Sequence, residues 1–274
     1  MKKVLMVLFA LVATVTLVGC GDTDSRPTLV VGLEVDYPPF NWGETTQTDT
    51  NWPVDGVPGL YAEGYDVQIA RKIADGLDRR LVIKMIAWGS LVESVTANEI
   101  DVIIAGMSPT AERKLTIDFT DVYYTSNHVV VVKADSAYAN ITTLAGLSGA
   151  KGVGQIATTY AELVDMVGSE YGAKVLPVRD TIPLISTDLN SGSADFTIVE
   201  KPVALGMIKA FPTLKIILDS TENIFNVSEE DTQLAIGISK SNTELKTQIN
   251  EILSGITQAQ RDALMTEAVN KQED

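Results

Sequence analysis

Short apolar segments that alternate between strand and helix spacing run along most of this 274-residue chain. Strands are predicted at residues 29–34, 81–86 and 101–105, with helices at 66–77 and 91–97 between them. The alternation resumes after residue 132, with strands near 152 and at 174–178, 196–199, 214–218 and 234–238, and helices at 160–167, 182–189, 202–210, 245–253 and 259–269. Because alternating strands and helices form parallel sheets covered on both faces, the pattern predicts an α/β fold with two series of elements.

A polar segment at residues 43–61 interrupts this alternation. It is rich in Thr, Gly, Asp and Pro and is predicted to be a long loop, and loops of this length usually carry function or are mobile. Trp42 and Trp52 could form a lid over a ligand. One buried tryptophan could instead pin a surface excursion, and the sequence leaves both interpretations open.

The first residues predict export. Lys2 and Lys3 precede an apolar run at residues 4–18 that is shorter than the ~20 apolar residues of a spanning helix, so residues 1–19 are predicted to be a signal peptide. Cys20 is the only cysteine, and the letters LVGC at residues 17–20 resemble the bacterial lipobox, in which the cysteine is lipidated. A lipid on Cys20 would anchor the protein at the membrane, and residues 20–27 are predicted to be a flexible tether. Secretion with a free thiol is the alternative.

The composition argues against nucleic-acid binding and against several kinds of catalysis. The formal net charge is −15, whereas nucleic-acid binding requires clustered lysines and arginines. His128 is the only histidine and begins an apolar run, which predicts a structural residue at the entry of a strand. A Ser–His pair and a histidine-based metal site are therefore not expected. We expect no catalytic residue, no metal and no cofactor.

Residues 101–114, with the sequence DVIIAGMSPTAERK, contain the parts of an anion-binding site. An apolar strand leads into a turn at Gly106 that can expose backbone N–H groups and presents Ser108. A helix start then follows and places Arg113 nearby. A hydroxyl adds a neutral donor, and a guanidinium adds a planar fork of donors that matches a carboxylate. The segment therefore predicts a site for a small carboxylate ligand at the carboxyl end of a strand.

Four stretches together resemble the bacterial extracellular solute-binding proteins, family 3, which serve polar amino-acid ABC importers. They are VVGLEVDYPPFNW (30–42), GYDVQIARKIA (64–74), IDVIIAGMSPTAERKLTIDFTDVYY (100–124) and SGSADFTIVEKP (191–202). The resemblance implies a periplasmic-binding-protein fold, in which two α/β lobes with mostly parallel sheets are joined by two crossing hinge segments and close on an amino acid. It places the crossings near 123–127 and 230–234, lobe 1 at 28–125 and 231–274, and lobe 2 at 126–230.

The same resemblance implies a binding site for the α-carboxylate of the amino acid. Arg113 would bind the carboxylate through two parallel hydrogen bonds, helped by Ser108 and the backbone of Gly106. Thr158 and Thr159 would add donors from lobe 2 at the N-terminus of a helix, where anions are favoured.

It also implies partners for the rest of the ligand. Tyr37 and Trp88 would enclose the aliphatic stem between their rings, and Glu200 would accept the α-ammonium group. Glu34 and Gln155 would face the ligand side chain. For some of these residues another interpretation remains open: Tyr37 and Trp88 could be core aromatics, Glu200 could cap a helix, and Glu34 could be a solvated strand end.

The resemblance implies a monomeric, extracytoplasmic binding protein, not an enzyme, that delivers its amino acid to an ABC permease. A cationic ligand, lysine or arginine, is expected because Glu34 lies near the side-chain end of the cleft and Gln155 replaces the lysine that would favour an acid. A neutral polar or sulfur-containing amino acid, such as glutamine or cystine, is the alternative. A dehydratase-type enzyme on the same fold, with Glu200 or Glu34 as general acid, is a further one.

One short motif suggests a different ligand. Gly152, Gly154 and Ala157 match the pattern G-x-G-x-x-A of dinucleotide-binding proteins. The two glycines lie inside the predicted strand 150–155, with no apolar strand before them. This position argues against a dinucleotide site.

Overall fold

The computed structural model describes residues 24–220 and 222–272. The predicted signal peptide, Cys20 and the first residues of the predicted tether lie outside the described residues. Within the described residues, none of the helices has both the length and the apolar character that a membrane span requires.

Fourteen strands and eight α-helices make up the described part of the chain. The strands are β1 (Thr28–Leu33), β2 (Asp36–Tyr37), β3 (Asn41–Glu44), β4 (Trp52–Pro53), β5 (Tyr61–Glu63), β6 (Arg80–Met85), β7 (Val102–Ile103), β8 (Asp118–Thr125), β9 (His128–Lys133), β10 (Lys151–Gly152), β11 (Lys174–Val175), β12 (Phe196–Glu200), β13 (Leu214–Ile217) and β14 (Gln233–Ile238). The helices are α1 (Tyr65–Gly76), α2 (Leu91–Thr96), α3 (Ala111–Thr116), α4 (Thr159–Tyr171), α5 (Ile182–Ser191), α6 (Lys201–Ala210), α7 (Thr243–Ser254) and α8 (Gln258–Lys271).

Two five-stranded sheets form the framework, with strand orders β6-β1-β7-β14-β8 and β11-β10-β12-β9-β13. We call the part built on the first sheet lobe 1 and the part built on the second lobe 2. The predicted α/β fold is confirmed. Each sheet is mixed rather than mostly parallel, with two parallel and two antiparallel pairs of neighbours. The antiparallel pairs all involve β8, β9 or β14, because the chain crosses between the lobes at these strands.

Two segments connect the lobes and are bonded to each other. The chain leaves lobe 1 through β8, enters lobe 2 at β9, and returns through residues 218–232 to β14. The backbone N–H of Ser126 donates to the carbonyl of Thr232 at 2.9 Å, which joins the two crossings. Away from the crossings, Lys209 Nζ on α6 donates to the carbonyl of Val269 near the end of α8 at 2.8 Å. The C-terminal helix therefore also contacts both lobes.

The apolar residues that give the helices and strands their periodicity are buried in the structure. The stripe Val67, Ile69, Ala70 and Ile73 on α1 is fully buried, as the helical spacing predicts. In β9 the four valines at 129–132 are all fully buried, because this strand lies between β12 and β13 and helices cover the sheet. Burial of each such side chain contributes roughly 1.5–3 kcal/mol, which makes these segments the stable frame of the lobes.

Residues 43–61 contain more regular structure than predicted. A small antiparallel sheet with the order β2-β3-β5-β4 holds both ends of the segment. Trp52 on β4 donates from Nε1 to the carbonyl of Leu81 at 3.1 Å, and the Arg71 guanidinium lies 5.6 Å from the Trp52 ring centroid. Trp42 is buried and Trp52 only partly buried, so the segment has the one buried tryptophan that the surface-excursion interpretation expects. The pairing was missed because each strand has only two to four residues, too few for a periodic signal.

Candidate functional site

A small cavity lies between the lobes. Eleven residues line it: Glu34, Tyr37, Trp88, Gly106, Ser108, Arg113, Gln155, Thr158, Thr159, Tyr160 and Glu200. Ten of these are the residues that the sequence predicts for a ligand site, and the eleventh, Tyr160, was not predicted. The structure thus brings the predicted residues together, while their individual roles toward a ligand stay predictions. Neither Trp42 nor Trp52 is among the lining residues.

Arg113 is held at the cavity by local structure. Thr110 caps the N-terminus of α3 and accepts a hydrogen bond from the backbone N–H of Arg113 at 3.3 Å, which is the local reason that the helix begins where it does. The guanidinium donates from Nη1 to the Ser108 carbonyl at 2.8 Å and lies 5.2 Å from the Trp88 ring centroid. Burial lowers the pKa of Arg113, yet an arginine remains charged at neutral pH. The side chain is therefore an oriented, partly buried cation.

Gly106 serves a purpose that differs from the predicted one. Its backbone N–H donates to the Tyr123 hydroxyl at 3.0 Å, so this amide already has a partner within lobe 1, and its role toward a ligand stays a prediction. The glycine is needed because φ is +62° and because a Cβ at this position would lie 2.6 Å from Cε1 of Tyr37. The missing side chain thus makes room for the Tyr37 ring. Ser108 donates from Oγ to the carbonyl of Asp231 at 3.3 Å, which links it to the second crossing.

A fully buried carboxylate, Asp66, is hydrogen-bonded to residues that contact the Gly106 turn and the end of β1. It accepts hydrogen bonds from the Tyr123 hydroxyl at 2.7 Å and from Asn41 Nδ2 at 2.9 Å. Asn41 in turn accepts from the backbone N–H of Val35 at 2.8 Å, directly after Glu34. Burial raises the pKa of Asp66 to about 6. This network joins the end of β1 to the Gly106 turn, and the sequence analysis did not identify it.

Glu200 lies at the end of β12 and is 2% exposed. Its Oε2 accepts hydrogen bonds from the hydroxyls of Tyr37, in lobe 1, and Tyr160, in lobe 2. The two hydroxyls also contact each other. Burial raises the pKa of Glu200 to about 8, against the effect of the Tyr37 hydrogen bond, which favours the ionised form. Glu200 directly precedes α6, but its side chain makes no capping hydrogen bond there, so helix capping does not explain it.

Glu34 and Gln155 come from different lobes and meet at the cavity. The Gln155 side chain donates from Nε2 to both carboxylate oxygens of Glu34, at 3.2 and 3.4 Å, and to the Asp180 carbonyl at 3.0 Å. Glu34 is 8% exposed, so it is not a solvated strand end. Burial raises its pKa to about 7. The pair therefore forms a contact between the lobes that contains an acid without a cationic side chain beside it in the cavity lining.

The N-terminus of α4 faces lobe 1. Thr158 caps this helix, accepts from the backbone N–H of Ala161 at 3.4 Å and donates from Oγ1 to the Gln155 carbonyl at 2.7 Å, so its hydroxyl proton is already used within lobe 2. Thr159 is also buried beside the cavity. Ala157 has a φ of +56°, which aims its carbonyl at lobe 1. That oxygen accepts from Trp88 Nε1 at 2.9 Å and from Arg113 Nη2 at 3.1 Å, which closes the lobes on each other at this edge.

The glycines of the G-x-G-x-x-A motif have a packing explanation. A Cβ on Gly154 would lie 2.6 Å from the Cα of Ala161, so the glycine allows the loop to pass against the first turn of α4. A Cβ on Gly152 would lie 2.4 Å from the Phe196 ring. Close approach of backbone to helix and sheet accounts for both residues without a nucleotide.

His128 is buried next to this site, as a structural residue at a strand entry would be. Its ring packs edge-on against Tyr160 at 5.9 Å and against Phe225 at 6.2 Å. Burial lowers its pKa to about 4, so the imidazole is neutral at pH 7. Within the described residues, no group of three or more metal-ligating side chains has the arrangement of a metal site.

Tyr160 is the lining residue that the sequence analysis missed. The only sequence signal for it is its position directly after Thr158 and Thr159 at the start of a helix. Its partners Tyr37 and Glu200 are 123 and 40 residues away in the chain, so no local pattern relates them.

Several known proteins are similar to this chain in sequence or in fold. The sequence profile of the bacterial extracellular solute-binding proteins, family 3, matches residues 29–267. The arginine-binding extracellular protein ArtP of Bacillus subtilis is 32% identical over 216 residues, 77% of this chain and 77% of that protein. The L-cystine-binding protein TcyJ of Escherichia coli is 29% identical over 84% of this chain and 77% of its own length. The crystal structure of the substrate-binding protein AbpA of Streptococcus pneumoniae, bound to L-arginine, has the same fold, with a TM-score of 0.75, 24% identity, and coverage of 90% of this chain and 96% of that one.

Proposed function

The chain belongs to the bacterial extracellular solute-binding proteins, family 3, and we propose that it captures one free amino acid between its lobes and presents it to the permease of an ABC importer. Members of this family are binding proteins rather than enzymes, and the relatives in the comparison bind arginine or cystine. The family therefore argues against the dehydratase alternative, and the packing of Gly152 and Gly154 argues against the dinucleotide alternative.

The observation that carries the proposal is the arrangement of charge in the cavity. Arg113 lies on the lobe 1 side and Glu200 on the lobe 2 side of one cavity; Glu200 is buried and Arg113 is partly buried. A zwitterion has a carboxylate and an ammonium group on one carbon, and it can pair with both side chains at once. Buried charges are costly unless they are paired, so a ligand with both charges satisfies two groups that water would otherwise have to solvate.

We expect the ligand side chain to be cationic, with arginine or lysine as the best candidates. Glu34 lines the cavity, is buried, and accepts hydrogen bonds from the neutral amide of Gln155. A guanidinium or ammonium group placed there would compensate the ionised carboxylate. The flat ring of Trp88, which already stacks on Arg113, offers a further surface for a cation or a methylene chain.

A neutral polar side chain is the second candidate, and the Glu34–Gln155 pair also favours it. An amide or a second amino-acid head group can donate to Glu34 and accept from Gln155, and the cystine-binding TcyJ is among the relatives. This candidate differs from the first in one respect: it does not require Glu34 to be ionised.

A thermal-shift panel decides between the two. The protein is purified without residues 1–23, unfolded and refolded to remove any copurified ligand, and screened with the twenty amino acids plus cystine and ornithine. Stabilisation by arginine or lysine supports the cationic assignment. Stabilisation by glutamine or cystine alone would overturn that assignment and leave the amino-acid proposal intact. If no amino acid raises the melting temperature, the proposed function itself is wrong.

We further propose that Cys20 carries lipid and anchors the protein outside the cytoplasmic membrane. The support is the sequence LVGC at residues 17–20 and the absence of any other cysteine in the chain. Two or three acyl chains on one residue hold a protein at a bilayer, whereas a single chain is marginal. Membrane fractionation of cells that express wild type and Cys20→Ser tests this. The variant should move to the soluble fraction, and equal membrane retention would contradict the proposal.

A further inference from the structure

Tyr160 and Glu200 both belong to lobe 2, and the Tyr160 hydroxyl contacts the Glu200 carboxylate. Tyr160 is not among the residues expected to bind a ligand. It is the second residue of α4 and is 3% exposed. Its ring packs edge-on against His128, which limits its movement. Its hydroxyl contacts both the Glu200 carboxylate and the Tyr37 hydroxyl. This contact affects how the Glu200 carboxylate is oriented and which hydrogen bonds it can still accept from a ligand.

The two carboxylate oxygens of Glu200 have different surroundings. Oε2 accepts from Tyr37 and from Tyr160. No side chain within residues 24–220 and 222–272 donates to Oε1. A carboxylate can accept about four hydrogen bonds, so it has capacity left for a cationic donor from the cavity. Two donors on one oxygen also fix the plane of the carboxylate, and hence the direction in which Oε1 points.

We propose that Tyr160 is a positioning residue for ligand recognition: its hydroxyl, together with that of Tyr37, holds Oε2 of Glu200 so that Oε1 faces the cavity for the α-ammonium group of the amino acid. This inference rests on the proposed function. It adds a residue of lobe 2 whose effect on the ligand is indirect, through Glu200. Tyr37 supplies the matching hydroxyl from lobe 1, so the full arrangement forms only when the lobes meet.

The electrostatics of the site explain why such support is needed. Burial, with a smaller effect from the charge of Asp66, raises the pKa of Glu200 to about 8, against the Tyr37 hydrogen bond and the charge of Arg113, which both lower it. His128, which lies opposite Glu200 in the pairing of β9 with β12, is neutral at pH 7 and supplies no charge. Hydroxyl donors stabilise the ionised carboxylate, which is the form that pairs with an ammonium group. In Tyr160→Phe we therefore expect Glu200 to stay protonated up to a higher pH than in wild type.

The test pairs a protein variant with a ligand variant. Affinities of wild type and Tyr160→Phe are measured by calorimetry at pH 8 for L-arginine and for 5-guanidinopentanoate, which is arginine without its α-amino group. If the panel identifies glutamine instead, glutaramate is the corresponding analogue. Loss of a hydrogen bond to a charged group predicts that Tyr160→Phe binds the amino acid roughly 10- to 100-fold more weakly. The affinity for the analogue should change by less than threefold.

Tyr171→Phe is the matched control, because Tyr171 lies at the end of the same helix and lines no part of the cavity. It should behave as wild type with both ligands. Equal losses for the amino acid and the analogue in Tyr160→Phe would overturn the inference, since the residue would then act through packing. Unchanged affinity for the amino acid would also overturn it.

The pH dependence provides a second, independent measurement if the analogue binds too weakly. Binding of the ammonium group requires ionised Glu200, so affinity falls as the pH drops through the pKa of that group in the free protein. Removal of a donor raises this pKa, so the acid limb for Tyr160→Phe should lie at higher pH than that of wild type. Superimposable acid limbs would contradict the positioning role. Wild type that binds no amino acid would instead refute the proposed function, which is a distinguishable result.

Discussion

Replacement of Glu34 by glutamine removes a negative charge from the cavity lining and nearly preserves the shape of the side chain. In the folded protein, burial raises the pKa of Glu34 from 4.5 to about 7. For an acid with a raised pKa, the folded state holds the proton more tightly than the unfolded state. The contribution of this group to stability therefore falls as the pH rises from about 4.5 to about 7 and stays at its lowest value above that.

The size of the effect follows from this shift. Each pKa unit corresponds to 1.36 kcal/mol, so an ionised Glu34 lowers the free energy of unfolding by about 3 kcal/mol at pH 8 in the absence of ligand. At pH 4 the group is protonated in both states, and the cost disappears. Glu34→Gln should consequently unfold at higher denaturant concentration than wild type at pH 8, and at nearly the same concentration at pH 4.

Ligand binding should respond in the opposite direction. A cationic side chain compensates Glu34 only while the carboxylate is ionised, so Glu34→Gln should bind arginine or lysine more weakly by roughly 2–5 kcal/mol, the usual loss when one partner of a buried charged pair is removed. The affinity of this variant for glutamine should change little, because the amide that replaces the carboxylate retains an acceptor oxygen.

The assay is urea unfolding of ligand-free protein at pH 4 and pH 8, followed by calorimetric titration at pH 8. Glu99→Gln is the control, since this acid is exposed on the surface of lobe 1. Equal stability of Glu34→Gln and wild type at pH 8 would refute the assignment of Glu34 as a destabilising buried charge. Equal losses for arginine and glutamine would refute the argument that Glu34 selects a cation.

Three further substitutions test other parts of the site. Arg113→Ala should weaken binding of any amino acid by roughly 2–5 kcal/mol in calorimetry, and affinity within threefold of wild type would exclude it as the carboxylate partner. Gly106→Ala should also weaken binding, because its Cβ would lie 2.6 Å from Tyr37 and displace that ring, and the crystal structure of the variant should show the displacement. Trp88→Phe keeps an aromatic ring but loses the bond to the Ala157 carbonyl, so small-angle scattering of the ligand-bound variant should show less complete closure and affinity should fall by about 1 kcal/mol.

Local sequence was sufficient to predict the framework. The apolar spacing of α1 predicts a helix at 66–77, and the structure has Tyr65–Gly76, because a stripe at this period has one stable way of being buried. Arg113 could be placed near Ser108 for a similar reason. Thr110 caps a helix that begins one residue later, so a few adjacent residues decide where the guanidinium lies. In both cases the interactions that decide the structure are close in the chain.

Local sequence did not predict the shortest strands or the antiparallel pairs within the two large sheets. The sheet formed by β2, β3, β4 and β5 has strands of two to four residues, which show no periodicity and are held by pairing with each other and by Trp52. The antiparallel pairs within each large sheet depend on where the chain crosses between lobes, which strand propensity does not encode.

Only the tertiary structure decided which groups of the candidate site are free to act and which are already bonded. The Gly106 amide is an exposed donor when the turn is considered alone, but in the fold it donates to Tyr123, 17 residues further along the chain. The Tyr37, Tyr160 and Glu200 side chains meet across separations of 40 to 163 residues, and one of the three could not be singled out from the sequence. A residue's type and local spacing determine what it can donate or accept. Whether that capacity remains for a ligand depends on long-range neighbours, which only the packing of the two lobes brings into contact.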